Sequence, residues 1–163
     1  FDVADVRRVV PDDMAARLAR RVAASESRHT GEVRLCVEAS LPAGEVWQAG
    51  STQALPLKVR ERALGWFGRL SIWDTENNNG VLIYLLLAER AIEIVADRAL
   101  TQRVTPAEWQ AMVARLSVRL RAGEVEDGLT QALEEVSAVL VTHFPATEGW
   151  QRANELPDGV VRV

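Results

Sequence analysis

Eight apolar residues in unbroken succession, Val81-Leu-Ile-Tyr-Leu-Leu-Leu-Ala88, constrain the fold of this 163-residue chain more than any other feature. A strand with one face in water alternates apolar and polar side chains. A strand without alternation is covered on both faces. The run falls far short of the ~20 residues that span a bilayer, so it predicts the middle of a sheet. Glu89-Arg90 then turns the chain into Ala91-Ile-Glu-Ile-Val-Ala-Asp97, a second strand. A connection that short forces the two strands to run antiparallel.

The flanking segments supply what covers the sheet. Pro11-Asp12-Asp13 has the proline and acids of a helix start, and Met14, Leu18 and Val22 recur every four residues to about Arg28. From Glu32 to Ala39, Val33, Leu35 and Val37 alternate with Arg34, Cys36 and Glu38, the period of a half-buried strand. Residues 40–56 hold Pro42, Gly44, Gly50, Ser51 and Pro56 and read as a loop. A helix over 57–72 carries Val59, Ala63, Trp66, Phe67 and Leu70 on one face. Thr105-Pro106-Ala107-Glu108 is a capping box with proline at the first helical position, opening a helix with a stripe of Trp109, Met112, Val113, Leu116 and Leu120. Gly123 ends it, and a last helix runs over 126–144 to Pro145. The element order brackets a helix between strand 32–39 and strand 81–88, which predicts parallel neighbours. The expected fold is therefore α/β, a three-layer sandwich with a small mixed sheet flanked by helices on both faces. Residues 1–145 read as a single domain and 146–163 as a polar tail.

Charge and cysteine usage narrow the function classes. A net charge of −4 argues against a general nucleic-acid binder. The single Cys36 precludes an internal disulfide or a thiolate metal cluster, and its apolar surroundings read as a buried strand thiol. No transmembrane segment is predicted. The chain opens on Phe1 rather than Met, which leaves export open; a reducing, cytoplasmic setting is the default expectation.

Most catalytic motifs fail. Arg28-His29-Thr30-Gly31-Glu32 approximates a histidine phosphatase signature, but threonine interrupts it at a helix end, where a histidine favourably placed at the carboxyl terminus is the plainer account. No P-loop, zinc triad or nucleophile elbow is present. Oxygen donors do gather in Trp73-Asp-Thr-Glu-Asn-Asn-Asn-Gly80. Asp74, Glu76 and Asn78 alternate as in a calcium loop, yet Asn79 replaces the turn glycine and Leu85 the bidentate glutamate of an EF-hand. Two readings stay open: a tight turn, since Asn and Gly tolerate positive φ, or part of a Ca²⁺ or Mg²⁺ shell completed by Asp97.

The segments ASESRHTGEVRLCVEAS, RERALGWFGRLSIWDTENNNGVLIYLLLAERAIEIVADRAL and RAGEVEDGLTQALEEVSAVLVTHFP together resemble the TPM domain family, in its short stand-alone bacterial form. The resemblance spans roughly residues 10–145, and Asn78-Asn79-Gly80 followed by apolar residues is its most specific motif. It implies an α/β sandwich, acid phosphatase activity and divalent-cation binding, the last two as attributed to plant lumenal members and some bacterial ones. Where exported members carry a Gly-Tyr-Gly segment, this chain has Asp97-Arg98-Ala99. That departure makes Asp97 a candidate ligand and Arg98 a candidate phosphate clamp. The expectation is a divalent-cation-binding protein-interaction module, with a metal-assisted phosphomonoester hydrolase as the alternative. The metal candidates are Asp74, Glu76, Asn78, Asn79 and Asp97. A partner at a membrane complex fits the receptor-accessory member of the family. Trp47 and Trp150 are candidate anchors for it, or simply caps on the core.

Overall fold

The computed structural model describes residues 2–42, 54–150 and 157–163. Helices α1 (Val3–Val9) and α2 (Asp12–Glu26) lead into β1 (Glu32–Glu38). Then follow α3 (Ala54–Arg69), β2 (Gly80–Leu86), β3 (Ala91–Ala96) and the short α4 (Arg98–Thr101). Helices α5 (Pro106–Arg121) and α6 (Val125–His143) precede β4 (Val161–Arg162).

The strands form one sheet in the order β3-β2-β1-β4. β1 and β2 are parallel, from Glu32 opposite Gly80 to Glu38 opposite Leu86. β2 and β3 are antiparallel, from Val81 opposite Ala96 to Leu86 opposite Ala91. Alternate residues of each strand feed two separate cores. Val33, Leu35, Val37, Val81, Ile83, Leu85, Ile92 and Ile94 pack against residues of α1, α2, α5 and α6. Cys36, Leu82, Tyr84, Leu86 and Val95 pack against Val59, Ala63, Trp66 and Phe67 of α3. The result is the three-layer α/β sandwich with helices on both faces of a mixed sheet. Every residue of β2 is buried, as its lack of alternation requires.

Three expectations change. β1 is buried on both faces rather than half-buried, so Arg34, Cys36 and Glu38 lie inside with Val33, Leu35 and Val37. Glu38 is tolerated there because α3 brings cations and donors to it. The strand predicted over 81–88 begins at Gly80 and ends at Leu86, with Leu87–Arg90 making the turn. The tail, read without a strand, returns to the sheet: Cys36 pairs with Val161 and Val37 with Arg162, in parallel. Most of the loop predicted over 40–56, Trp47 included, lies outside the described residues. Trp150 is half-buried.

Candidate functional site

The loop 73–79 is shaped by its own backbone before it offers any ligand. The Asp74 amide donates to the Ser71 carbonyl and the Asn78 amide to that of Thr75. Asn78 adopts φ +50°, a left-handed value that asparagine accepts more readily than most residues. Gly80 serves a different need: an added Cβ would lie 2.2 Å from the Ile72 carbonyl oxygen. Close approach of two backbones, not positive φ, demands glycine there.

The structure brings Asp97 and Arg98 to this loop. The Asp97 amide donates to the Gly80 carbonyl (2.9 Å) and the Ala99 amide to the Asn78 carbonyl (3.1 Å). Arg98 Nη2 reaches Asn78 Oδ1 at 3.3 Å. Asp97 caps α4, with Oδ1 accepting the Arg98 amide at 2.7 Å. Its other oxygen, Oδ2, is buried and meets no hydrogen-bond donor. Asp74 and Glu76 are exposed on the outer side of the loop. Asn79 faces inward: its side-chain amide donates to Thr30 Oγ1 (3.2 Å) and its own N–H to Thr75 Oγ1 (3.3 Å). No group of three or more His, Cys, Asp or Glu side chains converges with metal-holding geometry among the described residues. The fit to a cation is therefore partial. An orphaned carboxylate oxygen invites one, whereas the Arg98 guanidinium occupies the neighbouring amide oxygen.

The loop leads into β2, so it sits at the amino ends of the two parallel strands. Ligand crevices of open α/β sheets lie at carboxyl ends. Near that opposite edge stands Glu38. Arg62 of α3 binds it with two parallel bonds of 2.8 and 2.7 Å. Trp66 Nε1 (3.1 Å) and the Tyr84 hydroxyl (2.7 Å) donate to the same carboxylate. Burial works to raise the Glu38 pKa, but these donors outweigh it and hold the carboxyl below its usual range. Burial, helped by that carboxylate, drives the Tyr84 phenol upward. Sequence alone placed Glu38 on an open strand face. The network is invisible there because its partners come from α3 and β2.

The serine–histidine contact is structural as well. His29 is fully buried, and its Nδ1 accepts the Gly31 amide at 3.1 Å. The ring hydrogen therefore resides on Nε2, which faces Ser25 Oγ at 3.1 Å. Ser25 in turn meets Ser137. A histidine that donates to a serine is no base for it, which removes the hydroxyl as an activated nucleophile. Cys36 is buried, and that burial pushes its thiol up to about 12.

A groove of about 500 Å³ runs beside β3, between that strand and α5. Thr101 and Val104, which follow the Asp97 cap, close one end of it. Trp109, read from the sequence as part of a buried stripe, lines the groove and leaves its buried indole N–H without an acceptor.

Comparison with curated proteins finds no match. The fold is similar to the solution structure of BA42 protein from the psychrophilic bacterium Bizionia argentinensis. That likeness has a TM-score of 0.73 and 20% identity, over 91% of this chain and 92% of that one. It is also similar to the N-terminal domain of a protein from P. gingivalis, with a TM-score of 0.62 and 15% identity, over 86% and 83% of the two chains. At these identities the likenesses establish the fold alone. The TPM domain family matches residues 3–139, nearly the whole of the sandwich, and the chain belongs to that family.

Proposed function

We propose that this domain is a divalent-cation-binding module that docks on a protein partner. The observation that carries the cation half is Asp97 Oδ2, a buried carboxylate oxygen without a donor, beside a loop of further oxygens. Leaving such an atom unpaired costs about 1–3 kcal/mol, and a hard cation relieves it with oxygen ligands. Asp74 and Glu76 supply negative charge from the exposed side, and Asn78 offers its amide oxygen once Arg98 releases it. Asn79 supports the proposed set from behind: its side chain braces the loop against Thr30 and its carbonyl accepts the Glu32 N–H.

Docking follows from position. The loop holds α4 through Asn78, and the chain after α4 closes the groove beside β3. A cation that orders Asp97 therefore orders a wall of the groove. Arg98 next to Asp97 supports the second reading, a phosphomonoester hydrolase with Arg98 on the phosphate; a bound cation would polarise a phosphoryl oxygen. The docking reading takes precedence because Cys36 is held protonated and Ser25 accepts from His29.

Calorimetric titration of the chain and of Asp97→Ala with Ca²⁺ and Mg²⁺ tests the assignment. The expected result is heat and a raised Tm for the parent chain, both lost in the variant. No heat and no thermal shift for the parent chain contradicts it. Aryl phosphate hydrolysis that is abolished by chelator, by Asp97→Ala and by Arg98→Ala would replace docking with catalysis.

A further inference from the structure

We propose that β3 accepts an extended peptide segment of a partner protein as an added strand; this rests on the interaction-module reading and specifies its partner. β3 ends the sheet, and among the described residues no strand pairs beyond it. The Asp97 amide bonds to Gly80, so alternation along the antiparallel ladder turns Glu93 and Val95 toward β2. Ile92, Ile94 and Ala96 consequently direct their N–H and C=O groups outward. Native sheets blunt such an edge with charge, and Arg60 does so at one point, its Nη1 on the Ile94 carbonyl at 2.8 Å. The other outward groups of these three residues have no such cover among the described contacts.

The groove adds a second, independent sign of an occupant. It lies along the same edge, lined by Val104, Trp109 and Val113 on the α5 side and by Arg60 at the lip. The Trp109 indole N–H is buried there with no acceptor among the described residues. A strand added to an edge presents alternate side chains to opposite faces. On the α5 face it meets Trp109 and Val113, which select apolar side chains. On the α3 face it meets Arg60, whose Nη1 also pairs with Glu93 at 3.1 Å. Arg60 gives up the Ile94 carbonyl to a peptide N–H and keeps Glu93, so this pair selects a polar side chain there. The segment that fits is therefore extended, free of proline, and alternates apolar and polar residues. A second copy of this chain fits less well. Antiparallel β3–β3 pairing about Ile94 would bring two Arg60–Glu93 pairs to one seam and displace both guanidiniums from the Ile94 carbonyls, where a peptide displaces one.

The test is to pan a random dodecapeptide phage library on the whole chain and titrate an enriched peptide by calorimetry and ¹⁵N NMR. Expected are peptides with the apolar–polar–apolar pattern, and amide shifts confined to β3, Val104 and the first half of α5. Ala96→Pro removes one outward N–H at a position where an edge strand tolerates proline. It should weaken binding at least tenfold. Trp109→Phe keeps an aromatic face while removing the N–H and the second ring, and should weaken binding about threefold, with the Tm read alongside to separate the loss of packing. Binding that maps elsewhere, or survives both substitutions, overturns the edge assignment and leaves the module reading standing. No enriched peptide overturns both. Concentration-dependent self-association lost in Ala96→Pro would give the edge to a second copy and overturn the peptide proposal.

Discussion

Glu38 shows how one residue ties a strand to a helix. Its carboxylate accepts from Arg62, Trp66 and Tyr84, so both layers on that side of the sheet share one buried charge. Glu38→Gln removes the carboxylate charge that Arg62 meets with two bonds. Breaking a buried pair in this way costs about 3–5 kcal/mol, which urea denaturation at pH 7 would read. The pH sign follows from the depressed pKa. The stabilisation is complete above the unfolded carboxylate value of ~4.3 and is lost as pH falls through the lower folded value. Stability of the parent chain should therefore drop more steeply below about pH 4 than that of Glu38→Gln. Gly80→Ala is the second residue-scale prediction. Its methyl would strike the Ile72 carbonyl at 2.2 Å. A loss of about 3 kcal/mol or more is expected from the overpacking, seen as a lowered denaturation midpoint. From sequence, Asn78-Asn79-Gly80 was legible as a landmark but not in its division of labour. Asn78 turns the chain through local backbone bonds, whereas Asn79 points inward at Thr30 and Gly80 admits Ile72, and those two roles depend on partners outside the motif.

Among the elements, legibility tracks how local the determinants are. The capping box of α5 is contained in four residues, and the structure forms both of its bonds: Glu108 N–H to Thr105 Oγ1, and Thr105 N–H to the Glu108 carboxylate. Thr105→Ala should cost about 1 kcal/mol, measurable by thermal denaturation. Because α5 carries Trp109 into the groove, the same substitution should accelerate amide exchange over Glu108–Gln110. β2 was equally legible, since eight apolar residues admit one burial pattern. β1 was not. Its polar positions are buried because α3 places Arg62 and Trp66 on Glu38 from 24 and 28 residues further along the chain. β4 escaped for a related reason: two residues gain strand geometry only by pairing with Cys36 and Val37. Asp97 was read as a ligand, while its local signal also marked the cap of α4.

At the scale of the molecule, the sheet has two strand ends and, among the described residues, two edge strands, β3 and the two-residue β4, and the candidate functions are divided among the ends and β3. The carboxyl end of β1 is closed by the Glu38 network. The amino end carries the loop 73–79, with Asp97 and Arg98 brought beside it from β3. The longer edge strand is β3, whose groove is lined in part by residues that follow the Asp97 cap. The proposed cation site and the proposed docking edge are thus neighbours joined through α4, and an ion at one should be felt at the other. No helix among the described residues is long and apolar enough to cross a membrane. The measurement that tests this account most directly is a ¹⁵N NMR titration of the chain with Ca²⁺. The account predicts perturbed amides over 74–80 and 97–104, together with a shift of the Trp109 indole N–H. Unchanged spectra, or shifts gathered instead around Glu38 and the Leu87–Arg90 turn, would contradict it.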